Sequence, residues 1–180
     1  MNQELENELE WSPVWTNIFY VVYTLIAVTL LWIYRKRWKN LDKKLNITIH
    51  LFILSSIVLC VVSTLHHLNS SAFHDHSIHT TASKAFDISD QIFAWLTLIL
   101  MFLIMYITKT SGNILYTICV IFYIITLIMA VILYFLAVHY DNQGKYNSYD
   151  IYHSDWHILT SFLGVITIII IFNYVGLQKT

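Results

Sequence analysis

Apolar residues in this chain fall in long, nearly uninterrupted runs parted by short polar segments. A helix needs about 20 consecutive apolar residues to cross the hydrocarbon core of a bilayer, and five stretches meet that need. The first is "VWTNIFYVVYTLIAVTLLWIY" over 14–34 and the second "NITIHLFILSSIVLCVVSTLHH" over 46–67. The third covers 86–108, and the fourth, "NILYTICVIFYIITLIMAVILYFLAVHY", covers 113–140. The fifth covers 153–175. The connecting segments are short and polar, so successive helices should pack as antiparallel neighbours. The pattern predicts an all-α, polytopic transmembrane bundle of about five spans, forming one domain over 1–180 with no repeat and no low-complexity linker.

Basic residues give the bundle a direction. Arg35, Lys36, Arg37, Lys39, Lys43 and Lys44 sit between the first two runs, Lys109 follows the third and Lys179 the fifth. Only Lys84 and Lys145 fall on the other side. Lys and Arg in short loops favour the cytosolic face. The N terminus is therefore expected outside or lumenal, and the C terminus in the cytosol. The acidic start "MNQELENELE" lacks the basic region of a cleaved signal peptide, so the first span is expected to be retained. "WIYRKRW" reads as an interfacial anchor, with Trp32, Tyr34 and Trp38 at headgroup depth.

Composition narrows the class further. The chain of 180 residues is 57% hydrophobic and 12% charged, against about 25% charged in soluble domains. Its formal net charge is -1. No cluster of cations interleaved with aromatics suits it to nucleic acid. Cys60 and Cys119 both lie in apolar runs, where thiols act as small packing residues rather than as a disulfide framework.

The nine histidines are the unusual component. His66, His67, His74, His76, His79, His139, His153 and His157 all fall at the outer helix ends or in outer loops, and only His50 does not. An ionisable group at membrane depth is expensive and marks function by default. Three outer helix ends carry polar groups at helical spacing. "STLHH" places Ser63 and His67 four apart, "FDISDQ" places Asp87 and Asp90 three apart, and "HSDWH" places His153 and His157 four apart. A His pair at i, i+4 shares one helix face and can hold one metal ion. A third imidazole from a neighbouring helix would leave a fourth position open, the pattern of catalytic rather than structural zinc.

Each piece also has a plain structural explanation. A Ser can bond back to its own helix, and acidic residues suit a helix N terminus. His66 stands beside His67, and Asp90 beside Asp87, as competing members of the set. The loop "FHDHSIHT", with His74, His76 and His79, reads as a solvated loop, with a second metal site or a pH-sensitive gate as the alternatives. "NSS" at Asn69 fits a glycosylation sequon close to the membrane edge.

The order Ser-x-x-x-His, then Asp, then His-x-x-x-His resembles the CREST superfamily of membrane hydrolases. That group includes alkaline ceramidases, progestin and adipoQ receptors, and the myomaker and GPI-processing phospholipase group. "DWHILTSF" is similar to the ceramidase segment, while the placement of Asp87 after an aromatic looks closer to the myomaker group. The resemblance implies Zn2+ held by His67, His153 and His157, with Ser63 and Asp87 as polar partners beside the water that zinc activates. It also favours His67 over His66 and Asp87 over Asp90. The family has seven spans where five are read here. Losing two spans between Asp87 and His153 keeps the last helix pointing the same way, but leaves the lipid cavity open or filled by a second copy or a partner chain.

The resemblance thus implies a multi-pass protein of the ER, Golgi or plasma membrane that hydrolyses an amide or ester bond of a lipid, ceramide-like or phospholipid. In that reading Asp87 is the general base or water-orienting group and Ser63 a donor to the developing oxyanion. A second expectation is a non-catalytic protein of the myomaker or receptor type, in which zinc staples helices together. A haem electron carrier is a third, but a His pair on one helix face cannot supply both axial ligands.

Overall fold

A computed structural model describes residues 15–33, 36, 41–72, 81–109 and 113–177. Five helices follow one another along the chain: α1 (Ile18–Ile33), α2 (Lys43–Ala72), α3 (Thr81–Ile107), α4 (Ile114–Asn142) and α5 (Tyr146–Leu177). There is no strand among the described residues. Four helices are long and apolar enough to cross a membrane, over Lys43–Leu68, Ile88–Ile107, Ile114–Asn142 and Ser148–Gly176. The expected first span appears as a shorter apolar helix of 16 residues. At 1.5 Å per residue that is about 24 Å, less than the roughly 30 Å hydrocarbon thickness.

Local sequence sets the helix ends. Asp42 opens α2, its Oδ1 accepting hydrogen bonds from the backbone N–H of Lys44 (2.6 Å) and Leu45 (3.3 Å). Asn113 does the same for α4, accepting from the Tyr116 N–H at 3.0 Å. Both satisfy donors that a helix start leaves without partners. The turn between α4 and α5 is a Schellman motif. Gly144 has φ +67; its N–H donates to the Asp141 carbonyl (2.9 Å), and the Lys145 N–H reaches back to the Tyr140 carbonyl (3.0 Å). Only glycine takes this left-handed conformation without steric cost.

The helices pack as a ring with one outlier. α2 lies against α3 and α1, and α5 lies against α1, α3 and α4. α2 and α5 therefore face each other across the ring, with α1 and α3 between them. α4 stands outside, held chiefly by α5. It exposes Ile118, Ile121, Ile125, Ile128 and Ile132, which suits a lipid-facing helix. The core gathers Tyr20, Tyr23, Phe52, Leu59, Met101, Ile104, Leu163 and Ile170.

Helix bounds differ from the expected spans mainly in α5. It begins at Tyr146 rather than near His153, so the His pair lies two turns inside the helix rather than at its mouth. The added turns carry aromatics that pack against neighbours. Tyr152 stacks on Tyr140 of α4 with ring centroids 5.2 Å apart, and Tyr149 lies over His153 at 5.0 Å. Hydropathy alone ends a span where polar residues begin, whereas packing carries the helix further. The loop histidines His74, His76 and His79, and the anchors Tyr34 and Trp38, lie outside the described residues. Asn69 falls in the last turn of α2.

Candidate metal centre

Three histidines from two facing helices converge inside the ring. His67 comes from α2, His153 and His157 from consecutive turns of α5. All three are buried, at 4%, 8% and 0% exposure. The His67 Nε2 lies 3.2 Å from the His153 Nε2 and 3.4 Å from the His157 Nε2. All three ligand atoms fall within 4.8 Å of one another, and the set can hold a metal ion.

The spacing can be tested against two explanations. Three nitrogens bound at the usual Zn–N distance of about 2.0–2.1 Å, with tetrahedral angles, stand about 3.3–3.4 Å apart. The two distances from His67 fall at that separation. The competing explanation is hydrogen bonding between neutral imidazoles. A neutral ring nitrogen has either one hydrogen or one lone pair, so the His67 Nε2 cannot make a full hydrogen bond to both partners. A cation between the rings would accept all three lone pairs at once. The donor set fits zinc, while ligand identity alone also admits other imidazole-loving metals.

An aromatic collar surrounds the triad. The Tyr20 ring meets His157 edge-on at 5.3 Å, and Trp156 lies 5.4 Å from His153 and 5.2 Å from His157. Trp156 is itself backed by Tyr134 of α4 at 5.6 Å. His66 is a neighbour rather than a member: its ring lies 4.9 Å from His67, but it is not in the converging set. One residue along a helix is a turn of about 100°, enough to send adjacent side chains to different faces.

Ser63 sits one turn from His67 on α2 and is fully buried. Its hydroxyl donates to the Asn17 Oδ1 at 3.2 Å, and the Asn17 Nδ2 donates to the Thr64 Oγ1 at 3.4 Å. Thr64 in turn donates to the Cys60 carbonyl at 2.8 Å. A carbonyl only accepts, so it sets the direction of the whole chain. Ser63 spends its proton on Asn17 and has lone pairs left to offer the site.

The carboxylates divide differently. Asp90 is buried at 2% exposure on the α3 face that also buries Ala94, Thr97, Met101 and Ile104, and it lies within electrostatic range of Tyr20. The backbone of Asp87 stands one turn earlier in α3, and its side chain lies outside the described residues. The His157 Nδ1 is buried with no hydrogen-bond partner among the described residues.

Two residues at the N-terminal end of α1, Asn17 just before the helix and Tyr20 in its first turn, escaped the sequence reading. Asn17 (2% exposed) and Tyr20 (1%) both reach into the site. Asn17 carried a usable signal, being an amide within an apolar run, where polar groups need partners. Tyr20 carried little, because tyrosine is common in such runs. An apolar groove of about 410 Å³ between α1, α4 and α5, lined by Ile26, Leu30, Leu115, Val165 and Phe172, touches none of the three histidines.

Comparison with known proteins adds no relative: no family model matches the chain, and no curated protein or solved structure matches it.

Proposed function

We propose that this protein is an integral-membrane, zinc-dependent hydrolase acting on an amide or ester bond of a membrane lipid. The observation that carries the reading is the convergence of three buried histidine nitrogens, with no fourth His, Cys, Asp or Glu joining them among the described residues. Three protein ligands and an open position belong to catalytic zinc, whereas structural sites are closed by four. His67, His153 and His157 would hold the ion. When bound, zinc supplies Lewis acidity toward a carbonyl oxygen and makes water a nucleophile near neutral pH.

The other residues take the remaining roles, that of Asp87 from the family resemblance alone. Ser63, expected from the resemblance to donate to the oxyanion, instead directs its proton to Asn17, so in this reading it accepts a hydrogen bond from a substrate or water. Asp87 takes the proton as general base, with Asp90 the buried alternative on the same helix. Tyr20 and Trp156 wall the site with apolar surface, which suits a lipid.

A second reading is favoured by the burial of the triad. Zinc closed off between α2 and α5 would act as a staple, stabilising the bundle without chemistry. Elemental analysis of purified wild type beside His157→Ala tests the common premise: stoichiometric zinc in the first and loss in the second are expected, and no metal in either overturns both readings. Incubation with labelled ceramide and phospholipid, with and without Asp87→Asn, separates them. Turnover lost in the variant supports the hydrolase, and zinc without turnover supports the staple.

A further inference from the structure

α2 and α5 carry the whole triad, yet they face each other across the ring instead of packing side by side. Something else must fix their separation near the site, because tetrahedral coordination tolerates little error. α1 is in contact with both helices. It also makes one buried side-chain hydrogen bond to each, at the level of the histidines. Toward α2, Asn17 accepts from Ser63, four residues before His67. Toward α5, the Tyr20 hydroxyl and the Thr160 hydroxyl stand 2.6 Å apart, three residues after His157.

The direction of the second bond follows from its surroundings. The Thr160 Oγ1 donates to the Trp156 carbonyl at 2.8 Å, so its proton is committed and Tyr20 must be the donor. Asn17 is placed for its role by the start of α1. Its carbonyl already accepts from the Tyr20 N–H at 3.0 Å, while its side chain leaves its own helix and reaches α2. Tyr20 follows three residues later on the adjoining face, and its ring also meets His157 edge-on. The two anchors are thus one helical turn apart at the N-terminal end of α1, and they reach both ligand-bearing helices through side chains flanking the ligands.

We propose that Asn17 and Tyr20 are positioning residues, which make α1 a clamp that sets the gap between His67 on α2 and His153 and His157 on α5. Neither residue is a ligand. They act through Ser63 and Thr160, and their loss lets the two helices relax apart. The inference takes the metal reading of the triad as its premise.

The test uses the full chain in detergent with Co2+ as the probe, since its visible absorption reports coordination geometry. Outer contacts that orient metal ligands are worth about 10–100-fold in affinity. Tyr20→Phe and Asn17→Leu should each weaken Co2+ binding by that factor and alter the visible band, with helical content unchanged. A cycle with Thr160→Val separates the clamp from general packing. Tyr20→Phe combined with Thr160→Val should bind as weakly as Tyr20→Phe alone, because one bond is lost either way. Wild-type affinity and spectrum in both α1 variants, or losses that multiply in the cycle, overturn the clamp.

A second readout needs no metal. Spin labels at Leu65→Cys and Ile158→Cys, two exposed positions on α2 and α5, report the gap directly once Cys60 and Cys119 are replaced by alanine. The inter-label distance should lengthen or broaden in Tyr20→Phe and Asn17→Leu, and an unchanged distribution overturns the clamp. If the wild type binds no Co2+, the metal reading falls, and the label distances still decide whether α1 holds α2 and α5 together.

Discussion

His67 and His153 stand Nε2 to Nε2 at 3.2 Å although 86 residues separate them in the chain. Two buried imidazoles this close, with a third nitrogen 3.4 Å from the first, form a metal site or a set of compromised hydrogen bonds. The alternatives differ in what a chelator does. A ligand that binds only the folded state stabilises it by RT ln(1 + [L]/Kd), about 2.7 kcal/mol at one hundred times Kd. Chelation should lower the thermal midpoint of the wild type in detergent and leave His67→Ala and His157→Ala unmoved. Equal midpoints for wild type with and without chelator would count against a bound ion.

Gly164 brings α5 against α1. A Cβ at that position would lie 3.0 Å from the Cδ2 and Cε2 of Tyr23 and 3.1 Å from its Cζ. The Tyr23 ring is in turn stacked on Phe52 of α2 with centroids 6.2 Å apart, so it has little room to yield. Overpacking of this kind costs about 1–3 kcal/mol. Gly164→Leu should lower the thermal midpoint clearly and Gly164→Ala less. Because α5 also carries His153 and His157, Gly164→Leu should also reduce any metal bound by the triad, read by elemental analysis.

The α4–α5 turn depends on Gly144 at φ +67. An L-residue forced into the left-handed region loses about 1–2 kcal/mol. Gly144→Val should destabilise by that order, measured as a shift in the denaturation midpoint. A clash with neighbouring atoms is not involved at this exposed turn, since nothing lies within 4 Å of a Cβ built there. The loss should therefore be a backbone effect, and Gly144→Asn should recover part of it.

Ser55 on α2 and Thr97 on α3 make a buried hydrogen bond at 2.7 Å. Interhelical bonds of this type in membrane proteins average about 0.6 kcal/mol, with a maximum near 1.7 kcal/mol. A cycle of Ser55→Ala and Thr97→Val should give a coupling energy in that range. Thr97 also donates to the Phe93 carbonyl at 2.7 Å, which assigns Ser55 as the donor across the helices. A coupling indistinguishable from zero would mean that the α2–α3 contact rests on apolar packing alone.

The all-α architecture and four of the helices could be read from apolar runs, because a bilayer leaves a chain few other ways to satisfy its backbone. The triad was also legible, since His153 and His157 at i, i+4 can face only one way together. The choice of His67 over His66 followed in the sequence only from the resemblance and its Ser63–His67 spacing; its physical basis is which face of α2 meets the ring. The contribution of α1 was hidden for a different reason. Tyr20, Tyr23, Thr24 and Ala27 form a buried stripe at helical spacing, with Asn17 buried just before it, but within an apolar run such a stripe does not stand out by hydropathy. The early start of α5 was missed because Tyr152 stacks on Tyr140 of α4 and Tyr149 on His153 one turn further along α5, contacts that hydropathy does not register.

The short turn through Gly144 makes α4 and α5 a hairpin, and that hairpin carries two of the three triad histidines. During synthesis, α1, α2 and α3 emerge first with a single histidine of the set. No metal can be captured between facing helices until the hairpin enters and α5 takes its place in the ring. Any ion held by the triad would therefore be captured only after α5 has taken its place opposite α2.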